Sequence, residues 1–188
     1  CQFSSWNDGL SNLPSTLPGG CVLMLSDETP ICGHDPQRIL GELQECIARF
    51  SCRCLVLDFQ RPGNQEAEEL IPFLMKLPCP LVVSLPYVRD NCGVLLPPAP
   101  LSTSLEDYLS PWRGREIWVE LALDGEILTL TEQGAKTIPL PYPNLSAEGF
   151  REEILHCHYR TQLSEDRAEF TLWRTEEDLE DLLIQAEN

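Results

Sequence analysis

The stretch Arg53-Cys-Leu-Val-Leu-Asp-Phe-Gln60 decides the fold class of this chain. It is a short apolar run followed by Arg-Pro-Gly-Asn and then by a helical pattern from Gln65 to Lys76, which is the order of a buried strand and a crossover helix. Asp58 and Gln60 lie two residues apart and share one face of the strand, whereas Leu55, Leu57 and Phe59 share the face that a helix would cover. Because ligands of parallel α/β sheets bind beyond the carboxyl ends of the strands, these two polar side chains mark the expected place of a site.

Further strands and helices are predicted on both sides of this stretch. Apolar strand patterns at 21–26 and 80–87 flank it, and Asp27-Glu-Thr-Pro30 ends the first of them. Asp35 followed by Pro36 is typical of a helix start, and helical spacing continues to Phe50. The strand–helix–strand–helix–strand order predicts parallel neighbours. The remaining predicted strands are 2–6, 93–96, 116–123, 126–131, 135–140, 156–163 and 168–174, and the remaining helices are 104–110, 147–155 and one opened by a capping box of Thr175 and Asp178.

The number of strands favours a barrel. About eight core strands and a hairpin are predicted, but the connections 6–21 and 87–93 are too short for the helices of a standard (β/α)8 barrel. We therefore expect an α/β fold, a reduced or distorted TIM-like barrel with an inserted β-hairpin near 116–140. An open α/β sheet is the main alternative. The length of 188 residues indicates a single barrel-like domain over 1–188.

Composition narrows the classes of partner. Thirteen basic against 30 acidic residues give a net charge of −17, which repels phosphate backbones and argues against nucleic-acid binding. No apolar run approaches the roughly 18 residues that a membrane span requires. The chain contains neither a P-loop nor a GxGxxG motif, so no cofactor is expected.

Nine cysteines are many for this length, and none forms a CxxC pair. Several lie in apolar periodic patterns, where a free thiol behaves as a small hydrophobic group, so most should be buried and reduced and a cytoplasmic location is expected. A metal site of Cys52 and Cys54 with His156 and His158 does not have zinc-site spacing, and no metal is expected. No signal-peptide pattern is present, although an amino-terminal Cys1 also fits a lipid-anchored lipoprotein.

A resemblance to a known family follows from these residues. The run Leu55-Val-Leu-Asp-Phe-Gln60, the helix after it and Leu81-Val-Val-Ser-Leu-Pro86 resemble the central part of the family 18 glycoside hydrolases, the chitinase-like barrels. In that family a strand ends in DxxDxDxE, where the last Glu protonates the glycosidic oxygen and the preceding Asp orients the acetamido group of the substrate.

The resemblance places Asp58 at the last Asp of the motif and Gln60 at the catalytic Glu, while Arg53 and Val56 replace the other two acids. An amide cannot donate a proton to a leaving group, so Gln60 cannot be the general acid, although it can hydrogen-bond a sugar hydroxyl. The resemblance therefore implies a degenerate, non-catalytic site. A purely structural role, with Asp58 capping the loop and Gln60 as a polar strand end, is the alternative.

A second acid is a further catalytic candidate. In Glu116-Ile-Trp-Val-Glu-Leu-Ala-Leu123, Trp118 and Glu120 share one face. If that face enters a barrel, Glu120 and Asp58 could form a two-carboxylate glycosidase site; otherwise Glu120 lies in water. Gln60, Trp118, Ser84 and Tyr87 are the ligand-binding candidates, since Trp118 can stack on a sugar, although large aromatics are more often core residues.

Three functions fit these patterns. The first is a non-catalytic, glycosidase-like barrel protein that binds a carbohydrate or another polar small molecule. The second is an active glycoside hydrolase that uses Asp58 and Glu120. The third is a structural or interaction protein without a site.

Overall fold

A computed structural model describes residues 2–3, 16, 19–27, 35–140 and 149–186. The chain divides into two compact units: the first unit comprises residues 1–96 and 114–118, and the second unit comprises 97–113 and 119–188. The fold is mixed α/β with two sheets, one of six strands and one of five. A single domain over 1–188 stays a prediction.

The first unit is built on the predicted parallel strands. The six strands of this sheet lie side by side in chain order, and the first five of them are parallel to one another. The adjacent, parallel arrangement predicted for the strands near 21–26, 53–59 and 80–86 is thereby confirmed. The strands are β1 Gln2–Phe3, β2 Val22–Ser26, β3 Cys54–Asp58, β4 Leu81–Ser84, β5 Gly93–Leu96 and β6 Ile117–Val119, and the helices are α1 Pro36–Phe50 and α2 Gln65–Leu74.

The two helices cover one face of this sheet. Leu55 and Leu57 of β3 are fully buried in one apolar cluster with Leu43 of α1 and Leu70 of α2. Helix α1 begins as predicted, because the Asp35 carboxylate accepts a hydrogen bond from the backbone N–H of Gln37 at 3.0 Å. The face predicted to lie under the helices is therefore confirmed, and Asp58 is left for the opposite face.

The predicted TIM-like barrel is not confirmed. Among the described strands no pairing joins β6 back to β1, so no barrel is closed. Six strands are fewer than the eight of a TIM barrel. After β4 the chain passes through a short 3-10 helix, Leu85–Tyr87, and reaches β5 at Gly93 without a crossover helix. The alternative of an open α/β sheet describes the first unit.

The second unit contains an antiparallel sheet that the sequence predicted only in pieces. Of the hairpin predicted near 116–140, the part from Gly125 to Pro139 is present as β7 (Gly125–Thr131) with β8 (Gly134–Pro139), and the pair near 156–174 is present as β10 (Cys157–Leu163) with β11 (Arg167–Trp173). Both belong to one sheet of order β8-β7-β11-β10-β9, whereas β6 belongs to the parallel sheet. The strands are β7 Gly125–Thr131, β8 Gly134–Pro139, β9 Phe150–Glu152, β10 Cys157–Leu163 and β11 Arg167–Trp173, with helices α3 Leu105–Leu109 and α4 Glu176–Ala186.

The helix predicted at 147–155 is wrong over the described residues 149–155. Phe150–Glu152 is instead the edge strand β9, which pairs with β10. Gly149 precedes it at a very close approach, because a Cβ there would lie 2.6 Å from Cη2 of Trp173. This close approach to the Trp173 ring leaves no room for a larger side chain at Gly149.

The predicted burial of the thiols is confirmed for most of the described cysteines. Seven are free in the structure. Cys46, Cys52, Cys54, Cys92 and Cys157 are buried, and Cys21 and Cys79 are partly exposed. Among the described residues, no helix has the length and apolarity that crossing a membrane requires.

Candidate functional site

The carboxyl end of β3 carries the two polar side chains that the sequence singled out. Asp58 is half-buried and Gln60, two residues further, is exposed. The Nε2 group of Gln60 donates a hydrogen bond to Oδ1 of Asp58. The structure therefore brings the two predicted residues together as a carboxylate–amide pair at the edge of the parallel sheet.

A buried acid that the sequence analysis did not select supports this pair. Asp27 directly follows β2 and is only 1% exposed. Its Oδ1 accepts a hydrogen bond from the backbone N–H of Gln60 at 2.8 Å, and its Oδ2 accepts one from Arg61 at 3.1 Å. The sequence signal for Asp27 is an acid directly after an apolar strand, a pattern that by itself predicts only the end of the strand.

Ser84 and Tyr87 hold the same loop from the other side. The Ser84 hydroxyl accepts a hydrogen bond from the Phe59 N–H at 3.1 Å and donates one to the Phe59 carbonyl at 2.6 Å. The Tyr87 hydroxyl donates to the Arg61 carbonyl and accepts from the Asn64 N–H at 3.3 Å. The hydrogen bonds found for these two hydroxyls all go to the loop, and their role in contacting a ligand stays a prediction.

The Tyr87 hydroxyl is also placed to remain protonated. Burial raises the pKa of its phenol, and the hydrogen bond from the Asn64 backbone N–H opposes that rise without cancelling it. The ring packs edge to face on Phe59, with centroids 5.8 Å apart. The Tyr87 hydroxyl therefore stays a hydrogen-bond donor to the loop across the neutral pH range.

The result is a well-supported loop between β3 and α2. Three buried side chains make six hydrogen bonds to residues 59–64. A loop tied in this way presents Asp58 and Gln60 in a fixed geometry, as a binding site requires. An ionised carboxylate only accepts hydrogen bonds, whereas an amide both donates and accepts, so together they suit neutral polar groups such as hydroxyls.

Trp118 lies on the face of the parallel sheet opposite the two helices. It packs against the buried cluster that contains Val56 and Val82, and its indole N–H donates a hydrogen bond to Oε1 of Glu116 at 3.0 Å. Val56 is two residues before Asp58 on β3, so both point to this face. Trp118 is partly exposed and offers an aromatic surface on the side of the sheet that carries the candidate site.

Glu120 lies just outside the strand that was predicted to position it. The strand predicted over 116–123 ends at Val119, so Glu120 lies beyond β6 and its orientation does not follow from strand periodicity. It belongs to the second unit, whereas Asp58 belongs to the first. A catalytic pair of Asp58 and Glu120 stays a prediction.

The second unit contains a separate buried polar cluster. Asp178 of α4 is completely buried. Its carboxylate accepts hydrogen bonds from the Thr175 N–H at 2.9 Å and hydroxyl at 2.8 Å, pairs with Nδ1 of His158 at 2.9 Å and accepts from Nε of Arg151 at 3.2 Å. The predicted capping box of Thr175 and Asp178 is therefore confirmed. Its extension to β9 and β10 was not predicted.

Burial alone would raise the pKa of Asp178, but the hydrogen bonds from Thr175, His158 and Arg151 outweigh that effect and hold the pKa below its ordinary value. The carboxylate is thus ionised and fully used as an acceptor. This cluster joins α4 to the sheet, and it has the character of a structural element rather than of a second site.

Comparisons with known proteins find a similar fold among solved structures only. No family model and no curated protein matches the chain. Among solved structures, the spore cortex-lytic enzyme SleL of Bacillus cereus is similar with a TM-score of 0.50 and 11% identity over 88% of this chain and 53% of that one.

Two further structures are similar at lower scores. SleL of Bacillus megaterium has a TM-score of 0.45 at 12% identity over 85% of this chain and 51% of that one. YdhD of Bacillus subtilis, named as a sporulation-specific glycosylase, has a TM-score of 0.46 at 8% identity over 84% of this chain and 74% of that one. The chain spans about half the length of the SleL chains that it matches.

The fold resembles glycosidase-like structures, as the sequence resemblance implied. At such low identity, the likeness defines a class of fold and not an activity.

Proposed function

We propose that this glycosidase-like protein binds a carbohydrate, or another neutral polar small molecule, without hydrolysing it. The observation that carries the proposal is the carboxylate–amide pair of Asp58 and Gln60 at the carboxyl edge of the parallel sheet. The supporting loop gives the pair a fixed geometry, since buried Asp27 alone satisfies two of its backbone N–H groups.

The absence of hydrolysis follows from the chemistry of Gln60. In the chitinase-like pattern, this position holds the acid that protonates the leaving group, and a side-chain amide has no such proton to give. In this structure the amide instead donates its hydrogen bond to Asp58. Asp58 therefore serves as an acceptor for ligand hydroxyls and not as the partner of a general acid.

Charge and aromatic surface favour a neutral sugar as the ligand. The net charge of −17 opposes anionic ligands. Trp118 presents an aromatic side chain on the same side of the sheet as Asp58, and aromatic faces stack on the apolar faces of sugars. The name of the similar Bacillus cereus structure, a spore cortex-lytic enzyme, agrees with a glycan ligand.

Binding should depend on Asp58. Oligosaccharides of N-acetylglucosamine are the probe, and isothermal titration calorimetry is the measurement. Replacing Asp58 by alanine removes a charged hydrogen-bond acceptor worth about 1.5–3 kcal/mol, so the dissociation constant should rise at least about tenfold. Asp90→Ala is the matched control, because the Asp90 side chain is 99% exposed in the loop before β5. Equal affinities of Asp58→Ala and the wild type would contradict the assignment.

Hydrolysis should be absent from the wild-type protein. Chitin-type substrates with a chromogenic leaving group should release no product above background, and Gln60→Glu should give at most slight activity, because Val56 and Arg53 also replace motif acids. Robust wild-type turnover that disappears in Glu120→Gln would favour the alternative of an active hydrolase using Asp58 and Glu120. Absence of both binding and turnover would favour a structural or interaction protein.

A further inference from the structure

Two cysteines of the first unit have their sulfur atoms in contact. Cys21 directly precedes β2, and Cys52 lies between the end of α1 and the start of β3. Their Sγ atoms are 3.5 Å apart, although the residues are 31 positions apart in the chain. Both are free thiols in the structure. No other two of the described cysteines show such a sulfur–sulfur contact.

The backbones of both residues are fixed by hydrogen bonds. The carbonyl of Cys21 accepts from the N–H of Arg53 at 2.9 Å, which ties the start of β2 to the residue after Cys52. The N–H of Cys52 donates to the Ile47 carbonyl at 3.2 Å, at the end of a helix that Ser51 terminates in a left-handed conformation with φ of 50°. The closeness of the two thiols is therefore part of the fold.

The separation is within reach of a covalent bond. A disulfide has a sulfur–sulfur distance of about 2.05 Å, so the two Sγ atoms have to approach each other by roughly 1.5 Å. Neither sulfur is held by a strong partner, since each makes only a long contact of 3.8 Å to a carbonyl oxygen, of Phe50 for Cys21 and of Cys46 for Cys52.

We propose that Cys21 and Cys52 form a reversible disulfide when the protein meets a low-molecular-weight disulfide such as oxidised glutathione. This modification site is independent of the proposed ligand site. The disulfide would join the start of β2 to the start of β3 and close a covalent loop around α1.

Exposure determines which of the two cysteines reacts first with the glutathione disulfide. Cys21 is partly exposed, whereas Cys52 is 8% exposed, and burial, together with the hydrogen bond to Cys21, raises the pKa of the Cys52 thiol to about 12. The Cys21 thiolate attacks one sulfur of oxidised glutathione, a mixed disulfide forms and one glutathione thiolate leaves. Cys52 then loses its proton and attacks Sγ of Cys21, and the second glutathione thiolate leaves. Two protein thiols are oxidised and one glutathione disulfide is reduced to two thiols.

The test uses the full chain with Cys1 and Cys32, which lie outside the described residues, both replaced by serine. The protein is equilibrated with mixtures of reduced and oxidised glutathione, alkylated, and analysed by intact mass and peptide mapping. The expected product has lost two hydrogen atoms, carries no glutathione and links the peptides of Cys21 and Cys52. Its urea unfolding midpoint should lie above that of the reduced protein, because the bond restricts the unfolded chain.

Single variants separate this proposal from general thiol oxidation. Cys52→Ser should stop at the mixed disulfide and keep one glutathione on Cys21, and Cys21→Ser should form no link. The matched control is Cys79→Ser, at another partly exposed cysteine of the first unit, which should form the link as the Cys1→Ser, Cys32→Ser parent does. Circular dichroism verifies the folding of each variant. A Cys1→Ser, Cys32→Ser parent that retains glutathione on Cys21, stays fully reduced at every ratio, or links other cysteines would overturn the proposal.

Discussion

Asp178→Ala is expected to lower the free energy of unfolding by about 3–5 kcal/mol, the cost typical of removing one partner from a buried ion pair. Asp178 is completely buried and receives hydrogen bonds from the Thr175 N–H and hydroxyl, from His158 and from Arg151. Alanine would leave the Thr175 and His158 groups without this acceptor, while Arg151 would keep Asp181 as a partner. Urea unfolding followed by far-UV circular dichroism measures the loss.

Two further variants make this result specific. Asp178→Asn keeps the shape and one carbonyl acceptor but turns an amide donor toward other donors, so it should recover only part of the stability. Asp166→Ala removes an exposed carboxylate whose hydrogen bond comes from Ser164, and should leave the free energy of unfolding unchanged. Equal stabilities of Asp178→Ala and Asp166→Ala would show that the buried cluster does not stabilise the second unit.

The same carboxylate predicts how stability depends on pH. The pKa of Asp178 in the folded protein lies below its ordinary value of 3.8, because the hydrogen bonds to the charged form outweigh the effect of burial. The unfolded chain therefore takes up this proton more readily than the folded one. The stabilisation from Asp178 is fully present above about pH 4 and is lost as the pH falls through the folded pKa. Asp178→Asn should show a flatter decline below pH 4 than the wild type.

The parallel part of the fold could be predicted because its signals are local. Each buried strand of the first unit is a continuous apolar run, and the helices between them show helical spacing, with a clear start at Asp35 and Pro36. Right-handed crossovers then restrict the arrangement of neighbouring strands. Closure into a barrel is not a local property, since it depends on pairing between the first and last strands and not on their number.

The antiparallel sheet was harder to predict for a related reason. Its strands are largely half-exposed, and β8 is exposed along its whole length, so polar and apolar residues do not form a strong pattern. The central pair joins β7 to β11, with Gly125 opposite Trp173, across a long stretch of chain. Turn residues predict hairpins between consecutive strands, but they carry no information about such a distant pair.

The candidate site likewise contains residues that a local sequence pattern predicts and one residue that it does not predict. Asp58 and Gln60 could be predicted as neighbours, because a spacing of two places side chains on one face of a strand. Asp27 could not, because its partners are backbone N–H groups 33 and 34 residues later in the chain. A side chain that accepts hydrogen bonds from the backbone of a distant segment gives no periodic pattern in the sequence, even where the site depends on it.

Because the site depends on Asp27, replacing this residue should have the second large effect on stability. Asp27→Ala should lower the free energy of unfolding by about 2–4 kcal/mol. The substitution leaves the N–H groups of Gln60 and Arg61 without their acceptor, and Asp27 is only 1% exposed, so the lost acceptor lies in a buried place. Urea unfolding measures the change. Asp90→Ala is the matched control in the same unit, since its carboxylate is almost fully exposed, and it should not change the stability.

Ligand binding should respond to Asp27 although the side chain is too buried to contact a ligand. Without its two hydrogen bonds the loop of residues 59–64 loses part of its support, so Gln60 should no longer be held beside Asp58, and the affinity for N-acetylglucosamine oligosaccharides should fall. Hydrogen exchange separates this effect from global unfolding, because the amides of Gln60 and Arg61 should exchange faster in Asp27→Ala while those of β3 stay protected. Unchanged exchange at these two amides would mean that water replaces the carboxylate, and Asp27 would then be a tolerated buried acid and not the support of the site.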